Sequence, residues 1–342
     1  MKTNDFSKYL SGFFTEYLSS ERGVSHNTIR SYSETFTAFL DYMGSMQHVA
    51  AERLTLNHLT RKSVISFLDW LQEQKGSKDS TRNQRLAAIH AFAKYMQYED
   101  VTHLEQWQSV LSIKNKKTVK RSVNFLSTEG IKVLLKQIQQ DTRTGRRDLA
   151  MIALLYGSGA RVQELVDLTP GNLHLDNPCY VTLFGKGQKK RLVPLQGQLI
   201  GLLKSYMVEN RLDVLSANNQ PLFQNNRGGK LTTAGVAYIL SQYVAMAKTA
   251  SPELFPERIS PHSLRHSKAM HLLQAGVNLV YIRDILGHVS IQTTEIYARA
   301  DSKQKRLALE SAYTNVLPDL ENKTSWEKDS DLKMWLKNLG KQ

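Results

Sequence analysis

The 342 residues amount to roughly two domains at about 150 residues each, and 45 lysines and arginines stand against 31 aspartates and glutamates, a net charge of +14. That surplus points to a polyanion, nucleic acid ahead of an acidic membrane surface, while the single cysteine, Cys179, excludes an intrachain disulfide framework or a cysteine-rich zinc module. No run approaches the roughly 18 apolar residues of a membrane span, and Lys2, Asp5, Lys8, Glu16 and Glu21 occupy the stretch where a signal peptide has its apolar core, so a cytoplasmic chain without a membrane partner is expected.

Along the first hundred residues the spacing i, i+3, i+4, i+7 recurs in four sets: Leu10, Phe13, Phe14, Tyr17; Phe36, Phe39, Leu40, Met43; Val64, Phe67, Leu68, Leu71; Ile89, Phe92, Ala93, Met96. Each set is one face of an amphipathic helix, and the stretches between them carry glycine and polar residues that end helices. A four-helix unit over about residues 5 to 100 is predicted, with the aromatic and methionine stripes as its core. Residues 114–121, KNKKTVKR, hold five basic residues, no acidic residue and no apolar period, so they read as a linker. Lys114, Lys116, Lys117, Lys120 and Arg121 are either a solvated tether or a segment lying along a phosphate backbone.

Helical spacing resumes with Ile131, Leu134, Leu135, Ile138 and with Leu149, Ile152, Ala153, Tyr156, the first helix capped by Ser127 or Thr128. Residues 180–195, YVTLFGKGQKKRLVPL, are two short β-branched, apolar runs around a basic glycine loop. They predict a β-hairpin with Lys186 near its tip and Lys189, Lys190 and Arg191 entering its second strand. Helices follow, so the second domain is predicted to be mostly α with a small antiparallel sheet.

The residues able to carry chemistry fall in this second part. In GSGARVQEL, residues 157–165, two glycines before Arg161 permit a sharp bend, with Glu164 three residues on. Ser260-Pro261-His262 is a helix start, and Arg265 shares a face with His262 where unpaired N–H groups favour a phosphate. His262 and His266 have the spacing of two metal ligands, with His288 a third. A zinc hydrolase helix, however, carries glutamate where Ser263 stands, and Arg265 on that face repels a dication, so no metal is expected. Gly276 closes that helix, Leu279 to Leu286 form another, Gly287 fits the position after it with His288 on the turn, and Ser290 caps a helix containing Thr293, Thr294 and Tyr297.

Taken in order, GARVQEL, FGKGQKKR, PHSLRH, ILGH and TTEIY, with Tyr297 nine residues after His288, resemble the catalytic domain of the tyrosine recombinases, the phage-integrase and Xer-type family. The four-helix unit resembles the family's core-binding domain. The resemblance implies a core-binding domain over 1–110, a linker over 111–126, a catalytic domain over 127–316 and a tail over 317–342. It also implies a two-domain recombinase that reads only its crossover site, without cofactor or small-molecule substrate. Tyr297 is then the nucleophile that forms a 3′-phosphotyrosine, Arg161 and Arg265 hold the nonbridging oxygens, and Lys186 is the general acid. His262 accepts the tyrosine proton or bonds the phosphate, His288 donates to a nonbridging oxygen, and Glu164 orients the arginine site. Partners implied are double-stranded DNA in the nucleoid and further copies of the chain, a dimer on one site and a tetramer that exchanges strands through a Holliday junction. A catalytically silent DNA binder of the same fold, and a type IB topoisomerase or telomere resolvase, are the other readings.

In the tail, Leu332, Trp335, Leu336 and Leu339 repeat the helical spacing, with Asp329, Ser330 or Asp331 as cap and Gly340 as stop. So short a helix needs a protein surface for its apolar stripe, its own domain or a neighbouring protomer.

Overall fold

The computed structural model describes residues 4–118, 123–185, 187, 189–288, 290–300 and 330–339. The chain divides into two compact units, Met1–Arg121 and Ser122–Gln342.

In the first unit, α1 (Asp5–Gly12) starts on the Asn4 cap and continues as a π-helical stretch over Phe13–Glu21. α2 (His26–Met46), α3 (Arg61–Glu73) and α4 (Asp79–Glu99) follow, the first two capped by Ser25 and Thr60. The four apolar sets line one core, in which Phe92 meets Phe13 edge to face at 5.3 Å and Phe36 at 5.3 Å. The unit holds one helix more than the four expected, α5 (Leu104–Leu111), whose Trp107 is fully buried against Phe92. Eight residues give too few turns for a period to stand out, so packing around Trp107 marks this helix where the pattern does not. The basic run begins on this unit: Lys116 bonds Asn83 through its backbone and Gln72 through its ammonium at 2.6 Å.

The second unit opens with α6 (Thr128–Lys136), capped by Ser127, then α7 (Arg143–Ser158) and the short α8 (Val162–Val166). A three-stranded antiparallel sheet follows in the order β1 (Leu173–His174), β2 (Tyr180–Phe184), β3 (Lys190–Pro194). Val181 pairs with Val193 and Leu183 with Arg191, so β3 turns Arg191 and Val193 to the face that leaves Lys190 and Leu192 exposed. α9 (Gln198–Glu209), α10 (Thr233–Ala250), α11 (Pro261–Gln274), α12 (Leu279–Leu286) and α13 (Gln292–Ala300) complete the unit, and α14 (Ser330–Asn338) is described farther on. The fold is thus mainly helical with a small antiparallel sheet, as the patterns predict. No helix among the described residues is long and apolar enough to cross a membrane.

Candidate active site

Two left-handed glycines shape the site. α7 ends at Gly159 (φ 61°, ψ 24°) and α12 at Gly287 (φ 64°, ψ 46°), conformations that a side chain resists and glycine takes freely. The carbonyls at a helix C-terminus lack partners within the helix, and the last ones of α12 each receive a different guanidinium. Arg191 Nε donates to the carbonyl of Ile285 at 2.9 Å, Arg265 Nη2 to that of Leu286 at 2.5 Å, and Arg161 Nη2 to that of Gly287 at 3.2 Å. Arg265 Nη1 also donates to the Gly159 carbonyl at 2.7 Å, which ties the ends of both helices to α11.

Glu164 is the carboxylate among these cations. Its side chain, 4% exposed, accepts from the backbone N–H of Arg161 at 2.8 Å, from Arg161 Nη1 at 2.8 Å, and from Arg191 Nη1 and Nη2 at 2.9 and 2.6 Å. Burial alone pushes such a carboxyl up, but the hydrogen bonds from Arg191 and from the Arg161 backbone prevail and hold it below the usual range. Glu164 therefore stays ionised and bonds both Arg161 and Arg191.

α11 starts on Ser260, whose hydroxyl accepts from Ser263 N–H, with Pro261 at the first helical position. Arg265 is 1% exposed, and burial, then the charge of Arg161, lowers it to about 10, still protonated at neutral pH. Tyr297 on α13 is also 1% exposed. Its hydroxyl lies 2.8 Å from Nδ1 of His266, and the His262 ring stands 4.7 Å from the His266 ring. His288, on the turn after Gly287, bonds Thr294 Oγ1 at 3.0 Å and lies parallel to the Tyr297 ring. Burial raises the Tyr297 phenol above its ordinary value against the pull of Arg265 and Arg161. Burial, then the neighbouring positive groups, lowers His262 and takes His266 and His288 down to about 4. At neutral pH the imidazoles are uncharged and the phenol is protonated beside the arginines, a donor-rich cluster suited to an anion.

Arg161, Glu164, His262, Arg265, His288 and Tyr297 are thus gathered from α8, α11, the turn after α12, and α13. An open cleft beside them carries Arg161, Lys189, Lys190, Arg191 and Arg283, with Asp284 paired to Arg283 at 2.7 Å. Lys189 and Lys190 are exposed there, as their expected contact with DNA requires. Arg191 departs from that expectation, because its side chain is 10% exposed and all its bonds run inward to Glu164 and Ile285. Lys114, Lys116 and Lys117 are exposed on the first unit, while Lys186, Lys120 and Arg121 lie outside the described residues. No group of three or more histidine, cysteine, aspartate or glutamate residues suited to a metal ion occurs among the described residues.

Residues 124–304 match the phage integrase family model, and residues 13–100 match the phage integrase N-terminal SAM-like domain. The chain is 34% identical over 286 residues to the tyrosine recombinase XerD of Oceanobacillus iheyensis, covering 83% of this chain and 91% of the relative. This chain belongs to the tyrosine recombinase family. The recombinase is likewise 34% identical over 300 residues to the integrase/recombinase y4rC of Sinorhizobium fredii, covering 88% of the one and 89% of the other. The structure of the Tn1549 transposon integrase in complex with transposon right end DNA shares its fold at a TM-score of 0.68 and 18% identity, over 88% of this chain and 98% of that one.

Two residues of the recombinase's cluster escape a motif reading. Arg191 is signalled by strand alternation, since it shares a face with Val193, the buried residue of β3. His266 is signalled by its i+4 relation to His262, which the metal reading noticed and discarded without assigning it another partner.

Proposed function

We propose that this recombinase cleaves and rejoins DNA at specific sites through a 3′-phosphotyrosine formed by Tyr297. The observation that carries this reading is the convergence of one buried tyrosine hydroxyl with two anchored arginines and two uncharged histidines. Charge that grows on the nonbridging oxygens of a scissile phosphate meets guanidinium groups already fixed by Glu164 and by helix-end carbonyls, so little reorganisation accompanies the reaction. Arg161 and Arg265 hold those oxygens, with His288 as a further donor and His262 at the open edge of the site. Lys186, which falls between β2 and β3 in sequence, protonates the departing 5′ oxygen, because an ammonium gives up a proton more readily than a guanidinium. The bond energy is kept in the phosphotyrosine, which a 5′ hydroxyl of the partner duplex then attacks. The first unit contributes DNA binding as a core-binding domain, two copies occupy one crossover site, and four exchange strands through a Holliday junction in the cytoplasmic nucleoid. The neighbour solved with transposon DNA and the curated recombinase relatives support DNA as the partner.

A duplex selected for binding from a randomised library, then nicked near its centre so that the cleaved end diffuses away, tests this. The wild-type chain is expected to form an adduct that survives denaturation, and Tyr297→Phe to form none while duplex affinity stays within a few fold. An adduct at normal yield from Tyr297→Phe places the nucleophile elsewhere, and no adduct from the wild type favours a silent binder. Relaxation or hairpin formation without exchange between two sites marks a topoisomerase or resolvase.

A further inference from the structure

We propose that His266 aims the Tyr297 hydroxyl and accepts its proton during attack on the phosphodiester, an assignment that rests on Tyr297 being the nucleophile. Among the described residues the hydroxyl's bonding partner is His266 Nδ1, at 2.8 Å. His262 stands one turn earlier on α11, is more exposed, and meets the ring of His266 instead. The direction of the bond follows from the chemistry of the pair. Tyr297 is protonated because burial raises it, and His266 is uncharged because burial, then His262 and Arg265, hold it down to about 4. The phenol's one proton therefore points into Nδ1, and the imidazole carries its own hydrogen on Nε2.

During cleavage the O–H bond of Tyr297 breaks and a P–O bond forms to its oxygen, while the proton moves to Nδ1 and makes an imidazolium. The P–O5′ bond breaks, and the leaving oxygen takes a proton from a separate acid, for which Lys186 is the candidate. In resealing the imidazolium returns its proton to the tyrosine, so the cycle closes without a co-reactant. The charged and titratable groups around His266 are His262 and Arg265 on α11, Tyr297 on α13 and His288 after α12, with Arg161 acting on Tyr297. Burial holds the basicity of His266 low, and His262 and then Arg265 add to that. An incoming phosphate anion offsets the charge of Arg265, so His266 becomes a better base when the substrate is in place.

The test uses the full-length chain and the nicked duplex described above. His266→Asn keeps an acceptor near Nδ1 but no basic nitrogen. It is expected to bind the duplex within a few fold of wild type and to cleave about 10²- to 10³-fold more slowly, the usual range for loss of a general base. The low-pH limb of the cleavage profile should change with it. Fluorinated tyrosine at position 297, with a more acidic phenol, should recover at least about tenfold of the loss in His266→Asn, which a packing defect alone does not allow. Cleavage at the wild-type rate, an unchanged low-pH limb, or no recovery overturns the assignment. Should His266→Asn lose its cooperative melt, His266→Gln is read by the same criteria, and ¹⁵N NMR of the wild type supplies a readout without any substitution. A hydrogen on Nε2 of His266 is expected, and one on Nδ1 overturns the proposal. Absence of any adduct from the wild type is a failure of the nucleophile assignment, distinct from a wild-type adduct that is insensitive to position 266.

Discussion

Near neutral pH, His266 and His288 contribute to folding by staying uncharged, because burial, together with the cations around them, keeps both near a pKa of about 4. In the unfolded chain each takes up a proton near pH 6.5, the ordinary value of an exposed imidazole. Below that pH the unfolded state binds protons that the folded state refuses, so stability is fully present above about pH 6.5 and declines as pH falls toward 4. Glu164, held low, adds a loss of the same sign at still lower pH, below the ordinary carboxylate range. Urea unfolding between pH 7 and pH 4 is expected to show stability falling by up to about 1.4 kcal/mol per pH unit for each of the two histidines. His266→Asn should lower that slope by up to about 1.4 kcal/mol per pH unit, while His288 and the other histidines that burial holds down, His262, His271 and His90, keep the remainder. A profile that is level across the window shows that the imidazoles charge freely in the folded state.

The C-terminus of α12 is the element on which the site depends, since its last carbonyls seat Arg191, Arg265 and Arg161. A Cβ at Gly287 would lie 2.9 Å from Arg191 Nη1 and 3.0 Å from its Cδ. That guanidinium is tied to Glu164 and Ile285 and has little freedom to withdraw. Gly276 also has a positive φ, 82°, but a Cβ there meets nothing within 4 Å, so Gly276→Ala reports backbone strain alone. We expect Gly276→Ala to cost about 1 kcal/mol and Gly287→Ala about 2–4 kcal/mol in equilibrium unfolding, with cleavage lost only in the second. Equal costs deny the Arg191 contact its role. In the basic run, Lys114 and Lys117 are exposed, whereas Lys116 is bonded to Gln72. Alanine at both exposed lysines is expected to lower the slope of log affinity against log salt by about 1 to 2 if they sit on phosphates. An unchanged slope makes the run a tether.

At the scale of the whole molecule, α14 presents an apolar stripe that its own nine residues leave exposed. Met334, Trp335, Leu336 and Leu339 are 60, 60, 51 and 58% exposed, and a stripe of that size costs too much in water to remain uncovered in a nine-residue helix. Of the three expected caps, Asp329, Ser330 and Asp331, the first lies outside the described residues, as does Gly340, the expected stop, and the helix starts at Ser330. The surface that covers it belongs either to its own domain or to a neighbouring protomer, and truncation separates the two. If a neighbour covers it, truncation after Pro318 is expected to leave binding to a single site intact and to reduce strand exchange between two sites by at least about tenfold, measured as recombinant product over time. Exchange at the full-length rate removes the tail from assembly, and loss of the cooperative melt places it on its own domain.

Sequence by itself determined which faces of the helices are buried, that Ser127 and Ser260 begin helices, that Gly287 ends one, and that Arg161, His262, Arg265, His288 and Tyr297 are the residues to watch. The helix faces and ends are legible because they depend on neighbours within about one helical turn, the range over which periodicity and capping act, whereas the five side chains stand out through the order of motifs that resembles the tyrosine recombinases. Tertiary structure alone decided what those side chains touch. Arg161 reaches a carbonyl 126 positions away, Arg191 one 94 positions away, and Tyr297 the imidazole of His266 across 31. Such contacts leave no local period, since the chain returns to the site through elements whose relative placement is fixed by packing. Arg191 as an internal anchor, His266 as the tyrosine's partner and α5 behind Trp107 therefore became visible only once the helices were assembled. A side chain's face is set by its own element, whereas its partner is set by which other element the core brings alongside.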